Sequence, residues 1–420
     1  MSDKRLRNMA QNAALALLTV SALFLLTQLP LLQNIRLSPR NLFTQSPDAG
    51  PREDSAPPAA VFPSVNLMVT GDSEYGRCGQ LCLSADDASL QSVTPLFQEA
   101  LGSATMTGQA ADTTLRAALN DPGLYLEFTS GPLPLEAVAA WLDEEAFFTR
   151  SVQAMALTAG DDEKVSLFLL DSDAVIMRCE TALPASAVRT VCDGFLTNGG
   201  YFSYETGYDT LFPYTVLTAE AGAPKDLLAE RPAGYSAYNL LSALDFNAHT
   251  LSRYTESGGA EVVEESPRTL RIGPNGNVSF ISRGTIVSPL YRASGTGLRE
   301  VLAAGGRLAA ALAGGTGSSP LFLRSAEETE SGWTLRFRYQ VDGVPVYFSD
   351  GSDALTVTFQ GVSVTGFTYR CRVYTPMEET PAALLPAGMA QAIAAAYPES
   401  ALSLGYEDDG SGHLTAQWYR

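Results

Sequence analysis

Two histidines, His249 and His413, are all that this 420-residue chain contains. A multi-histidine metal centre is therefore excluded, and no His-Glu-x-x-His helix exists. His249 follows Phe246-Asn247, where a surface or capping role is expected, and His413 falls on an expected terminal hairpin; neither sits in a motif that would make it a general base. The nucleophile elbow Gly-x-Ser-x-Gly and the pairing of Ser-x-x-Lys with Lys-Thr-Gly are absent. Gly314-Gly315-Thr316-Gly317 lacks the Gly-Lys of a phosphate loop and reads as a flexible linker after a helix. Carboxylates are abundant, as in Asp143-Glu144-Glu145 and Glu264-Glu265. Glycosidase chemistry needs two acids facing across a cleft, whereas acids adjacent in sequence usually face solvent. Asn277-Val278-Ser279 matches the short glycosylation sequon. No catalytic, cofactor-binding or metal-ligating residue is assigned, and no cofactor is expected.

The five cysteines are Cys78, Cys82, Cys179, Cys192 and Cys371, an odd number that leaves at least one unpaired. Cys78 and Cys82 can bridge only if the segment between them turns helically, because four extended residues carry their Cα atoms beyond disulfide range. Cys179 closes an expected strand and Cys192 lies on the next helix, so these two can meet, but buried free thiols are the expected state. Tyr201, Phe202, Tyr204, Tyr208, Phe212 and Tyr214 form the densest aromatic cluster. Such clusters are chiefly packing area, and a sugar or peptide platform is the sharper alternative. Exposure of the rings separates the two.

These residues need a scaffold, and composition says that one exists. Hydrophobic residues make up 45% of the chain and charged residues 17%, outside the range of a disordered protein. Five of the 27 basic residues and one of the 46 acidic residues precede Asn41, leaving 22 against 45 beyond it, a net charge of −23. That balance repels nucleic acid and anionic headgroups and favours solubility.

Ala13 to Leu32 is apolar and close to the 20 residues that a helix needs to cross hydrocarbon, although Gln28 and Pro30 weaken its far end. Lys4, Arg5 and Arg7 precede it, which keeps residues 1–12 in the cytoplasm and sends the rest outward. A cleaved secretory signal would share the basic start and apolar centre, but no small-x-small site follows in Thr27 to Arg36. A retained signal anchor over 13–32 is therefore expected. The Pro-rich stretch within 33–63 reads as a stiff spacer.

Beyond it, an α+β domain is expected over 64–225. Val65 to Thr70 reads as a strand, and Ser84-Ala85-Asp86-Asp87 as a capping box ahead of a helix carrying Leu90, Val93, Phe97 and Leu101. A short helix over Thr113 to Leu119, a strand over Leu124 to Thr129 and a helix opened by Pro134 follow. Gln153 to Ala159, Lys164 to Leu170 and Ala174 to Cys179 read as an antiparallel meander, then Pro184 to Leu196 as a helix. A central sheet-rich unit is expected over 226–295 and a C-terminal one over 296–420. The first has a short helix at Tyr238 to Leu244 and strands at Glu261 to Glu264, Thr269 to Ile272 and Asn277 to Ser282. The second has a helix over Leu298 to Leu312, weakened by Gly305-Gly306, and strict alternation from Trp333 to Val341 that predicts a half-buried strand. Asp342-Gly343 is the matching hairpin turn; strands at Val344 to Phe348, Leu355 to Phe359 and Val362 to Tyr374 and a helix over Ala387 to Tyr397 follow. Strands and helices are grouped rather than alternating, so the fold class is α+β.

Leu244-Asp245-Phe246-Asn247 with Tyr254, Leu270-Arg271-Ile272 and Gly276, and the terminal helix followed by Leu404-Gly405-Tyr406 and Trp418, carry a resemblance. With one N-terminal crossing, a first α+β domain and two sheet-rich units, the chain resembles the YycH and YycI regulators, membrane-tethered exterior proteins that accompany the WalK sensor kinase of Gram-positive bacteria. Its three-unit layout is nearer to YycH. The resemblance implies a non-enzymatic regulator of a two-component system, whose partners are a sensor kinase and a second membrane-anchored regulator. An envelope ligand-binding or assembly module and a glycan-acting envelope enzyme are the alternatives.

Overall fold

The first strands are buried on both faces, and their alternation shows how. In β1 (Val65–Thr70), Leu67 and Val69 enter one apolar cluster while Met68 enters another. The computed structural model describes residues 61–71, 76–160, 163–171, 173, 175–218, 224–232, 235–247, 249–283, 291–378, 384–397 and 402–419. The expected cytoplasmic tail, the anchor over 13–32 and most of the spacer lie outside these residues. Among the described residues, no helix is long and apolar enough to cross a membrane.

β1 is followed by β2 (Arg77–Leu83), α1 (Ala88–Gly102), β3 (Thr105–Ala110), α2 (Asp112–Ala118), β4 (Gly123–Phe128), α3 (Leu135–Trp141), β5 (Ala154–Ala159), β6 (Lys164–Leu170), β7 (Ile176–Pro184) and α4 (Ala185–Cys192). The strands form an antiparallel sheet in the order β2-β1-β4-β5-β6-β7-β3. Leu124, Leu126, Leu157, Leu167 and Leu169 face α1 and α4, whose Leu90, Val93, Phe97 and Val188 complete that layer. Tyr125, Ala156 and Phe168 point the other way, since successive side chains alternate across a sheet. Their cover is α2 together with Phe202, Tyr214 and Val216.

The second half holds β8 (Leu227–Glu230), α5 (Ala237–Ala243), β9 (Ser252–Thr255), β10 (Glu261–Glu265), β11 (Arg268–Ile272), β12 (Asn277–Ser282), α6 (Leu298–Thr316), β13 (Leu321–Thr329), β14 (Gly332–Val341), β15 (Val344–Phe348), β16 (Leu355–Gln360), β17 (Ser363–Arg370), β18 (Val373–Pro376), α7 (Ala387–Ala394), β19 (Ser403–Asp408) and β20 (Gln417–Tyr419). An eleven-stranded sheet runs β9-β10-β11-β12-β17-β16-β14-β15-β19-β20, with β13 on the other edge of β14. The β15–β19 pair is parallel and the other pairs are antiparallel. Through β12–β17, the segments 226–295 and 296–420 contribute to one sheet. The described residues are mixed α+β with several antiparallel sheets.

Several local expectations change. The helix after Ser84 is capped by Asp87, whose Oδ1 accepts from the Ser89 backbone N–H at 2.8 Å, so the reciprocal Ser84 box is not the device used. Gly305-Gly306 does not break α6: a Cβ at 305 would overlap the Leu335 side chain, so glycine lets the helix lie against β14. That close packing offsets a helix penalty of roughly 0.5–1 kcal/mol per glycine. Gly314, Gly315 and Thr316 are the last turn of α6 rather than a linker, and Gly317 ends it in the left-handed region at φ 73°. β14 is half-buried only at its start, because Arg338 and Gln340 on the polar stripe are also buried.

Gln340 explains part of that burial by joining the two halves of the body. Its Oε1 accepts from the Ser64 backbone N–H at 3.3 Å and its Nε2 donates to Thr129 Oγ1 at 3.1 Å. Val61 and Phe62, at the end of the expected spacer, are buried, with Phe62 stacked on Trp141 at 4.3 Å. Arg299 of α6 reaches back to Asp143 at 2.8 Å. α7 turns Ala390, Gln391 and Ala394 inward, and Gln391 Nε2 donates to Ser203 Oγ at 2.7 Å.

Candidate functional site

Beyond α4 the chain returns across the first sheet as Tyr201–Phe202, a short 3-10 turn and Val216–Leu217, which pair with each other antiparallel. This segment carries the aromatic cluster, in which Tyr201, Tyr204 and Phe212 are half-buried and Tyr208 is 37% exposed. Phe202 and Tyr214 have no exposed surface. Phe202 meets Tyr125 edge to face at 5.1 Å and stacks on Tyr204 at 5.6 Å, while Tyr204 and Phe212 contact Tyr214 at 5.5 and 5.9 Å. Arg77 lies over Phe202 at 5.2 Å and Arg116 over Tyr204 at 4.5 Å, so the outer faces are covered by guanidinium groups as well. Arg77 is itself held by both oxygens of Glu205, at 2.7 and 2.8 Å. The Tyr214 hydroxyl bonds Asp112, and burial pushes its pKa up. Leu211 packs with Ala390, Ala394 and Leu402 from the far end of the chain. Phe202, Tyr204, Phe212 and Tyr214 are packing area on the first sheet, Tyr208 stays at the surface, and Ser203 and Leu211 of the same segment reach the C-terminal helix.

Beneath this segment lies a carboxylate that sequence reading does not single out. Glu127 of β4 is 5% exposed. One oxygen accepts from Asn66 Nδ2 at 2.9 Å and the Val216 backbone N–H at 3.0 Å, the other from Thr215 Oγ1 at 2.8 Å. Burial raises its pKa, and the three donors pull in the opposite direction. A Glu inside the otherwise apolar Leu124-Tyr125-Leu126-Glu127-Phe128 is the signal that could have found it. Its donors all come from the protein's own frame, so the group ties the crossing segment to the sheet.

Cys82 stands close by, and the pairing of thiol and acid invites a nucleophile reading that its surroundings oppose. Its backbone N–H donates to Asn66 Oδ1 at 2.9 Å. Burial first, then the nearby Asp342 and Glu127 carboxylates, push the thiol up to about 12, whereas a reactive cysteine needs a depressed pKa. Cys78, Cys82, Cys179 and Cys371 are free thiols, and Cys192 Sγ lies 3.5 Å from the Gly123 carbonyl oxygen. Neither possible disulfide forms: Cys78 and Cys82 share an extended strand, and Cys179 sits mid-strand in β7, which runs on to Pro184.

The other chemistry-bearing residues are separated. Glu264 and Glu265 are neighbours on β10 and so project to opposite faces. Glu265 pairs with Arg268 and accepts from Thr250 Oγ1 at 2.7 Å, while Glu264 accepts from the Tyr254 hydroxyl at 3.3 Å. His249 is exposed, and His413 Nε2 lies 3.6 Å from Asp226. Among the described residues, no three His, Cys, Asp or Glu side chains gather as a metal site. Asn277 opens β12 with its Oδ1 buried, so the sequon lies in a sheet rather than an exposed loop. A groove of about 640 Å³ runs between β2, α1 and α4, lined by Gln80, Ser89, Ser92, Thr190, Phe195 and Leu196. Leu196 is 89% exposed, and the groove offers contact surface with no titratable pair.

No family model and no curated protein matches the sequence. Among solved structures the chain is similar to the crystal structure of YycH from Bacillus subtilis, with a TM-score of 0.49 and 11% identity over 86% of this chain and 93% of that one.

Proposed function

We propose that this chain is a non-enzymatic regulator, anchored by one N-terminal helix, whose exterior body binds a membrane sensor kinase of a two-component system. The observation that carries the reading is the sequence layout: a basic start, an apolar run over 13–32, a Pro-rich stretch and an acidic folded body with a YycH-like order of features. The body supports it in kind, because the buried Glu127 and the Glu265–Arg268 pair are held by donors of the fold itself. A regulator of this type acts by binding two kinase states unequally, since a partner shifts an equilibrium only by its differential affinity. A second membrane-anchored regulator is the further partner.

The test is deletion of the gene with transcription of the kinase regulon recorded under envelope stress. A changed regulon that the intact gene restores is expected, and an unchanged one refutes the reading. The anchor is tested separately: the protein should stay in the membrane fraction after a carbonate wash. A soluble protein beginning after Leu32 would refute retention. Replacement of 13–32 by an unrelated anchor should remove much of the regulatory effect, because helix pairing in lipid depends on small-residue packing such as Ala13, Ala16, Ser21 and Ala22 supply.

A further inference from the structure

The outer face of β14 carries one cation more than its neighbours neutralise. Leu335, Phe337 and Tyr339 enter the core, so Arg336 and Arg338, which alternate with them, point the other way. Arg324 joins them from the irregular step in β13, where the register with β14 shifts between Leu323 and Ser325. Asp353, with a side chain only 7% exposed in the loop ahead of β16, binds two of the three: Arg324 Nη1 lies 2.5 Å and Arg336 Nη1 3.5 Å from its oxygens. Glu327 engages Arg336 a second time, at 3.2 Å. Two carboxylates thus face three guanidinium groups, and the one left over is Arg338.

Arg338 is also the most deeply placed of the three. It is 8% exposed, whereas the side chains of Arg324 and Arg336 are 41% and 38% exposed. Among the described residues, no carboxylate reaches it at ion-pair distance, and the nearby acid is held by its two neighbours. Its own contact is Tyr347 of β15, whose ring centre lies 5.0 Å from the guanidinium carbon and whose hydroxyl stands beside it. Tyr347 is wedged in turn by Tyr419, 5.7 Å away, and by Gly405, where a Cβ would overlap the ring. A neutral ring and hydroxyl attract a cation without cancelling its charge. Glu407, the in-register neighbour of Tyr347 on β19, is exposed and one strand farther off. Burial pulls the Arg338 pKa down, with Arg324 adding to it and Tyr347 and Asp353 opposing, yet an arginine keeps its proton.

A charge withdrawn from water without a counter-charge is costly, and buried charges in folded proteins are paired. None of the Arg338 nitrogens is among the sealed polar atoms that lack a partner, so the tip of the side chain still meets solvent. An anion in solution can therefore reach it. The planar fork of a guanidinium matches carboxylate or phosphate oxygens two at a time. Asp353 already supplies the carboxylate at this place. A phosphoryl group offers three acceptor oxygens and up to two charges, enough to meet the fork of Arg338 and a donor of the half-exposed Arg324 together.

We propose that Arg338, with Arg324 beside it, forms a binding site for a phosphoryl oxyanion on the outer face of the large sheet. The site does not depend on the kinase reading.

The test titrates sodium phosphate into the full-length chain in zwitterionic detergent at pH 7.5, with sodium chloride at matched ionic strength as the blank. Saturable binding is expected with a Kd of about 0.1–10 mM, together with a Tm that rises with phosphate and not with chloride. Arg338→Met keeps the apolar stem and removes the charge, so its affinity for phosphate should fall at least about tenfold. Arg324→Gln, which can still donate to Asp353, should weaken phosphate by about threefold or more, and it decides the matter if Arg338→Met does not fold. Arg253→Gln, on the far edge strand β9, should bind as the parent does. A short polyphosphate and phosphatidylglycerol vesicles then distinguish a polymer or a lipid headgroup from free phosphate: the source is whichever binds most tightly and loses that binding in the variants. No saturable phosphate binding up to about 50 mM, an equal rise of Tm in chloride, or undiminished binding by either folded variant of Arg338 or Arg324 would overturn the proposal.

Discussion

Replacing Glu127 by glutamine and by alanine separates the two parts of its role, the buried charge and the three accepted hydrogen bonds. In Glu127→Ala, Asn66 Nδ2, Thr215 Oγ1 and the Val216 N–H lose their acceptor at a 5% exposed site, and the shortened side chain leaves a void. Unsatisfied buried donors cost about 1–3 kcal/mol each, and Thr215 can turn its hydroxyl elsewhere, so the expected loss is about 3–5 kcal/mol. With unfolding entropy near 2.1 cal/mol/K per residue, that is a fall of about 4–7 °C in Tm. Glu127→Gln can keep all three contacts: its oxygen accepts from Asn66 and Val216, and its amide donates to a rotated Thr215 hydroxyl. It removes the desolvated charge and is expected within about 1 kcal/mol of the parent at neutral pH. The pH dependence has a definite sign. The folded pKa of Glu127 is raised above its ordinary value, so the native state favours the protonated acid. The parent therefore loses stability relative to Glu127→Gln as pH rises from the ordinary carboxylate range through the raised pKa, and the gap stays constant above it. Urea and thermal unfolding of the three proteins between about pH 4 and 8 read this directly. Glu127→Ala within about 1 °C of the parent, or a parent that gains stability relative to Glu127→Gln with rising pH, would refute the argument.

Gly343→Ala should destabilise by more than about 2 kcal/mol in urea melts, because position 343 sits at φ 76° and a Cβ there overlaps Cys82; a neutral substitution would show that the turn can shift. Gln340→Leu leaves the Ser64 backbone N–H without its acceptor and Thr129 Oγ1 without its donor and is expected to cost about 1–3 kcal/mol, with limited proteolysis accelerated near Ser64; unchanged cleavage would argue that this junction adds nothing. Cys82, its thiol pushed up to about 12, should resist iodoacetamide at pH 7.5 in the native protein and react after unfolding, which peptide mass mapping reads; rapid native labelling would contradict its burial.

The sequence by itself determined those elements whose pattern repeats within a few residues. Alternation located β14, the Asp342-Gly343 turn gave its hairpin, and the turns between Gln153 and Cys179 gave the meander of β5, β6 and β7. Strands without such a pattern were not legible. β3 is an exposed edge of Thr, Met, Gly and Gln, and β2 contains Gly79 and a Cys82 at φ 62°, so neither shows period-two hydrophobicity. Only tertiary structure decided that the glycines of α6 permit close packing, that Gln340 and Glu127 are buried polar ties, and that Phe202 and Tyr214 are interior while Tyr208 is not. It also decided which face of α7 looks outward. Hydropathy along one helix assigns the large apolar residues to the core, but here Ala390 and Ala394 pack with Leu211 and Leu402, and Met389 and Ile393 are left in solvent. The partners of the buried face include Ser203 and Leu211, nearly two hundred residues away, and no local pattern carries that information.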